Sequence, residues 1–228
     1  MPRKKKPAPF TAEEATDLFA RLAEVRPDPR TELDYTNPFT LVVAVALSAQ
    51  ATDVGVNKAT KKLFAMADTP EKMVALGEDN IREHIKTIGL FRNKAKNVYL
   101  LSKMILEDFS GEVPQTRELL EKLPGVGRKT ANVMMNEAFG EPTIAVDTHI
   151  FRVSNRTGLA PGKNPLEVEL KLARITPVAY LKGAHHWLIL HGRYTCKARK
   201  PDCPNCAIAD LCRFDEKTPA YPGRTIRS

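Results

Sequence analysis

Cysteine is absent from the first 195 residues of the chain; all four cysteines stand near the end, at 196, 203, 206 and 212. That excludes a fold stapled by disulfides along its length. The start carries no signal peptide, so a secreted protein is not expected. Long apolar runs are missing as well. The longest, Phe39 to Leu47, is interrupted by Thr40 and ends in Ser48, which reads as a buried helix and not as a membrane span. Convincing apolar–polar alternation is lacking, and no repeat of solenoid period occurs, so an all-α fold with short loops is expected. Acid is missing around Arg3-Lys4-Lys5-Lys6, with none before Glu13. That tail is too short and too poor in hydroxyl residues for a transit peptide, and it reads as a solvated arm.

What is present is ordinary in bulk and skewed in charge. The chain is 43% hydrophobic and 27% charged, as in a typical globular protein. Its length suits one large domain or two small ones. The net charge of +8, half of it in the tail, and a pI near 9.3 suggest a polyanionic partner. A cytoplasmic, nucleoid-associated protein is the expectation.

Helix signals recur along the chain. Thr11-Ala12-Glu13-Glu14 is a capping box, followed by Leu18, Leu22 and Val25 on one face with Phe19 beside them. Thr69-Pro70-Glu71 is another start. Val98, Leu101, Ile105 and Phe109 mark a long amphipathic helix from Asn93 to a stop near Gly111. Asn164-Pro165 opens one carrying Leu166, Leu170 and Leu172, stopped by Pro177. The count is roughly ten or more helices, too many for a simple bundle. Two helical lobes with a groove between them are expected.

The cysteines are spaced C-x6-C-x2-C-x5-C. Three uses compete. Disulfides fit a secreted protein. Structural zinc usually takes two C-x2-C knuckles, and one is present. A four-cysteine iron–sulfur cluster suits one wide loop followed by a short and a medium hop. The wide loop carries Lys197, Arg199 and Lys200. Pinned at both ends, it could present these to phosphate with little ordering entropy.

A second cluster of signals is Leu123-Pro124-Gly125-Val126-Gly127-Arg128-Lys129-Thr130-Ala131, between helical patterns at Thr116–Lys122 and Arg128–Phe139. Two glycines in a tight turn before a helix N-terminus make a place for phosphate. Such a helix–hairpin–helix grips a DNA backbone without reading sequence; a plain turn between packed helices is the simpler alternative. Lys129 falls in the first turn of the second helix, where the dipole and Arg128 disfavour its charged form. A lysine so placed can be a nucleophile or a phosphate contact. Asp147, between apolar Ile144 and Ile150, can cap the next helix, and a carboxylate there can also face Lys129.

Taken together, the hairpin with its lysine, Ala145-Val146-Asp147-Thr148-His149 and the cysteine tail resemble the endonuclease III family. So do Leu47-Ser48-Ala49-Gln50-Ala51-Thr52-Asp53, Ile88-Gly89-Leu90 and His186-Trp187-Leu188-Ile189-Leu190-His191-Gly192. Those are bifunctional DNA glycosylase/AP lyases of the helix–hairpin–helix superfamily. The resemblance covers nearly the whole chain. It implies a six-helix barrel over 31–143 containing the hairpin at 116–139. It also implies a second helical domain, built from 1–30 together with 144–228, holding a [4Fe-4S] cluster on Cys196, Cys203, Cys206 and Cys212.

By the same resemblance, Lys129 attacks C1′ of a damaged nucleoside and Asp147 assists. The substrate would be oxidised pyrimidine in damaged double-stranded DNA, and the strand would be cut 3′ to the abasic site by β-elimination. A base must leave the stack to be reached. Gln50, Ile88 and Leu90 would fill the vacated space, although all three could equally be helix-end or core residues. Gly125, Val126, Gly127 and Arg128 would hold backbone phosphate, and Lys197, Arg199 and Lys200 would add to that grip. The stretch Lys86–Lys103, with five Lys/Arg and no acid, fits a DNA-facing surface. His149, His185, His186 and Trp187 read as packing or hydrogen-bonding residues. A monomer is expected, with no membrane contact. The alternatives are a monofunctional glycosylase and a non-catalytic helix–hairpin–helix DNA-binding protein; an iron–sulfur electron carrier fits poorly with so large a basic body.

Overall fold

A computed structural model describes residues 8–219. The basic tail Arg3–Lys6 lies outside the described residues. Eleven α-helices and two single-turn 3-10 segments form the regular structure, and no strand occurs among the described residues. The chain divides into two compact units. Thr31–Glu141 form one; the segment up to Arg30 and the segment from Pro142 onward form the other.

Helix α1 (Ala12–Val25) opens on the expected reciprocal cap. Thr11 Oγ1 accepts the Glu14 N–H at 3.1 Å, and Glu14 Oε2 accepts the Thr11 N–H at 2.9 Å. Such a cap stabilises by about 1 kcal/mol. The Arg213 guanidinium, 2.6 Å from Glu14 Oε1, holds that carboxyl below its usual range. Ala15, Leu18, Phe19 and Leu22 are buried. Val25, expected on the same face, is 62% exposed. It is the last helical residue, and the chain turns away at Arg26 before another turn can cover it.

The Thr31–Glu141 unit is arranged around α2 (Pro38–Ser48). Asn37 and Thr40 cap it reciprocally, and Pro38 occupies the first turn. Every residue from Phe39 to Leu47 is buried, so this helix has no wet face. It packs against α3 (Asp53–Met66), α6 (Phe91–Asp108) and α8 (Arg128–Glu137). Helices α4 (Pro70–Leu76) and α5 (Glu78–Ile85) pack on α6. Helix α7 (Arg117–Leu120) is shorter than the expected Thr116–Lys122. Beyond it the Lys122 and Leu123 N–H groups bond back three residues, to Leu119 and Leu120, and the tighter winding ends the α-helix.

The other unit contains α9 (Thr148–Thr157), α10 (Pro165–Ile175) and α11 (Leu181–Tyr194), with 3-10 turns at Val178–Tyr180 and Cys203–Asn205. Helix α11 packs on both α1 and α9. Trp187 Nε1 donates to Arg26 O at 2.8 Å, tying α11 to the end of α1. On α10 two apolar stripes compete, and the core takes Val168 and Leu172. Leu166 and Leu170, expected inside, are 48% and 49% exposed. They lie on a neighbouring i,i+4 row that turns away from the core.

Candidate functional site

The four cysteines are free thiols, which removes the disulfide alternative, and all four line one cavity with Arg156, His191, Ile208 and Phe214. Two arginines one turn apart on α9 fix its rim. Arg152 donates to Cys196 O at 3.0 Å and Gly192 O at 2.7 Å. Arg156 donates to Lys197 O at 2.6 Å and Ala198 O at 2.8 Å, with one nitrogen 3.8 Å from Cys196 Sγ. Neither arginine was foreseen from sequence; their i,i+4 spacing on α9 was the available signal. Burial depresses the His191 pKa to about 4, so this ring stands neutral, 3.8 Å from Cys206 Sγ. Burial, and then the neighbouring thiols, push Cys206 up to about 11; burial raises Cys212 too. Thiolates gathered here need a cationic centre among them. No three His, Cys, Asp or Glu side chains among the described residues converge as they would on a single ion. Four cysteines around one cavity are a donor set for a metal ion or for an iron–sulfur cluster. Lys197, Arg199 and Lys200 on the wide loop are exposed.

In the hairpin, Gly125 has φ +80, open to glycine without strain. A Cβ there would come within 3.0 Å of Asn97 on α6, so the turn's backbone lies close against that helix. The Val126 N–H donates to Leu123 O at 3.0 Å. Val126 is 5% exposed: its side chain anchors the turn from below, so any DNA contact from this residue falls to its backbone. Gly127 begins α8 with no side-chain cap, leaving the first N–H groups of the helix to other partners. Arg128 and exposed Lys129 follow in that first turn.

Two further loops carry residues singled out in the sequence. Gln50 is exposed with φ +55, and Leu90 is 57% exposed with φ +58. Left-handed backbone at non-glycine residues persists only where the surroundings enforce it. The loops adjoin: a Cβ at Gly89 would lie 3.9 Å from Gln50 O. Ile88 is only 6% exposed and belongs to the core, held down between α5 and the start of α6, so Leu90 is the residue of this pair that projects. Of the five basic residues in Lys86–Lys103, Lys94 is also buried, at 7% exposure, and its amine has no hydrogen-bond partner. Burial lowers its pKa, and it forms no part of a basic surface.

Asp147, in the unit that holds the cysteines, caps α9. Its Oδ1 accepts the N–H groups of His149 at 2.9 Å and Ile150 at 2.8 Å. Its Oδ2 accepts from His149 Nδ1 at 2.8 Å. Val146, Thr148, Phe151 and Pro165 line an open hollow with it.

This combination of an uncapped hairpin helix bearing a lysine, a capping aspartate and a four-thiol cavity agrees with the comparisons. A model for HhH-GPD superfamily base excision DNA repair proteins matches residues 43–177. Endonuclease III of Escherichia coli (strain K12) is 58% identical over 201 residues, covering 88% of this chain and 95% of its own. That of Haemophilus influenzae is also 58% identical, with the same coverage. A solved trapped endonuclease III–DNA covalent intermediate superposes with a TM-score of 0.84 at 46% identity, over 90% of this chain and 96% of that one. The chain is a base excision DNA repair protein of the HhH-GPD superfamily. Within that class it belongs to the endonuclease III family of DNA glycosylase/AP lyases. Among the described residues no helix is long and apolar enough to cross a membrane.

Proposed function

We propose that this chain excises oxidised pyrimidines from duplex DNA through Lys129 and Asp147, and then cleaves the strand 3′ to the abasic site. The observation that carries the chemistry is Lys129, exposed in the first turn of a helix that no side chain caps. The amine attacks C1′ as the bond from C1′ to the base breaks, and the base departs with its electron pair. Positive charge develops on the sugar, and the Asp147 carboxylate stabilises it. The amine then gives up a proton and the C1′–O4′ bond breaks, O4′ leaving with the electron pair and taking up a proton as a hydroxyl; the iminium so formed acidifies the C2′ proton, whose removal expels the 3′ phosphate by β-elimination.

Gln50 and Leu90 fill the space left by the extruded nucleotide, and Ile88 supports them from within the fold. The hairpin from Gly125 to Arg128 holds backbone phosphate on the N–H groups of its two glycines and on the guanidinium, with Val126 anchoring the turn. Cys196, Cys203, Cys206 and Cys212 hold a [4Fe-4S] cluster, a reading supported by their shared cavity and their spacing. When bound, the cluster supplies structural charge neutralisation in this reading and takes no part in base removal. The protein works as a monomer in a bacterial-type cytoplasm, on the nucleoid.

The test uses the cluster-loaded protein and a duplex with one oxidised pyrimidine. Lys129→Gln still binds abasic-site duplex, gives no borohydride-trapped adduct, and loses strand cleavage by about 1,000-fold or more. Asp147→Asn keeps binding and loses most base removal. A trapped adduct from Lys129→Gln at near wild-type yield would assign the nucleophile to another amine. Base removal without any trappable adduct in the unmodified protein would favour the monofunctional alternative, and neither activity would leave a DNA-binding module.

A further inference from the structure

The two oxygens of the Asp147 carboxylate are engaged in different ways. Oδ1 receives the His149 and Ile150 backbone N–H groups. That is an ordinary helix cap, and most residues at position 149 would allow it. Oδ2 receives the His149 ring, at 2.8 Å from Nδ1. A helix cap needs no such bond. Opposite a carboxylate, Nδ1 is the donor; in the neutral ring this places the lone pair on Nε2.

His149 is not filling the core. Its side chain is 33% exposed, whereas Ile150 and Val153 on the inner face of α9 are fully buried. The base of the side chain is nevertheless held close against α11. A Cβ added to Gly192 of α11 would lie 2.8 Å from His149 Cβ and 3.2 Å from its carbonyl oxygen. Helix α11 therefore presents a glycine against this part of α9, and the His149 Cβ has no room to withdraw on that side. Of the roughly four lone-pair positions of a carboxylate, three are occupied. The fourth belongs to Oδ2, and the ring bond decides where it points.

We propose that His149 is a positioning residue for base removal: it clamps Oδ2 so that the free lone pair and negative charge of Asp147 are set before the sugar becomes cationic. The inference rests on the reading of Asp147 given above and extends it to a residue outside that reading. No proton is transferred by His149. Its contribution is orientation fixed in advance, because a carboxylate held by Oδ1 alone can rotate and hydrate at Oδ2.

The experiment compares His149→Leu and His149→Asn in the full-length, cluster-loaded protein. The asparagine amide can donate from nearly the same place as Nδ1; leucine cannot. Base release is followed under single-turnover conditions on a thymine glycol duplex. Affinity is measured on a duplex with a tetrahydrofuran abasic analogue, and borohydride trapping on a preformed abasic site. His149→Leu slows base release by about 10–100-fold, keeps affinity within about threefold, and leaves trapping on the preformed site near wild type. His149→Asn recovers base release to within about fivefold of wild type. Base release by His149→Leu within about twofold of wild type would overturn the proposal. So would a folded His149→Asn that is slowed as much as His149→Leu; if leucine prevents folding, a folded asparagine variant slowed more than about tenfold would be decisive against it. Asp147→Asn is the control: if it keeps full base release, the reading of Asp147 itself fails, whatever His149 does.

Discussion

Leu90 combines an exposed apolar side chain with a left-handed backbone, two features that each favour replacement. Glycine would remove the strain and lose the side chain, so one substitution separates stability from function. Relief of roughly 1 kcal/mol raises the melting midpoint of Leu90→Gly by about 2–4 °C. The same variant loses preference for abasic-analogue duplex over undamaged duplex, because the wedge acts only after a nucleotide has left the stack. Calorimetry paired with competitive binding checks both. An unchanged preference would make Leu90 an ordinary surface residue. At this scale the sequence was legible where chemistry is carried by residue type. The cysteines and the glycines of the hairpin needed no knowledge of neighbours. Ile88 and Leu90 are two residues apart and equally apolar; only the packing beside α6 decides which is inside. His149 read as a packing or hydrogen-bonding residue, and its partner went unnamed because that side chain was already assigned to a cap. Asp-x-His at a helix start, with Nδ1 in reach of the capping oxygen, was the local sign.

The cysteine loop shows how an element can be held by its neighbour. Residues 197–202 have no helix or strand of their own beyond the turn, yet Arg152 and Arg156 bind the carbonyls at its entry. A loop tied at its backbone keeps Lys197, Arg199 and Lys200 outward without fixing their side chains. Replacing these three with alanine lowers affinity for lesion duplex and flattens its dependence on salt. Each lost phosphate contact reduces the slope of log affinity against log salt by about 0.9. Titrations across a salt series measure it; an unchanged slope means these charges face solvent in the complex. Helix beginnings were readable at this scale, because caps at Thr11, Thr69 and Asn164 are settled within four residues. Faces were less readable. Leu166 and Leu170 match the helical period as well as Val168 and Leu172 do, and the choice belongs to α9.

The unit that holds the cysteines is assembled from both ends of the chain. Phe10, Leu18, Phe19 and Leu22, with Ala15 between them, enter a core otherwise supplied by residues after Pro142. Arg213 reinforces that join through Glu14, Ala8 O and a cation–π contact 4.6 Å from the centre of the Phe10 ring. Burial of four such side chains contributes roughly 6–12 kcal/mol, as much as a whole domain's net stability. Deleting the segment through Arg30 therefore leaves the remaining part of this unit unfolded. Limited proteolysis should cut it between Pro142 and Cys212, and the purified protein should lack iron. Resistance equal to the full chain would show that α1 is an accessory to this core.

That arrangement also sets an order of events during translation. Helix α1 leaves the ribosome early, with an apolar face and nothing to cover it. Thr31–Glu141 can close while the rest is still being made. Its partner helix α11 ends at Tyr194, so at ~5–20 residues per second α1 waits roughly 3–10 s after Glu141 before that surface exists. The thiols emerge later still. Nascent chains stalled between Glu141 and Tyr194 are thus the state most exposed to chaperones and to aggregation, and the four thiols can share their cavity only after the α9 and α11 residues that line it have been made.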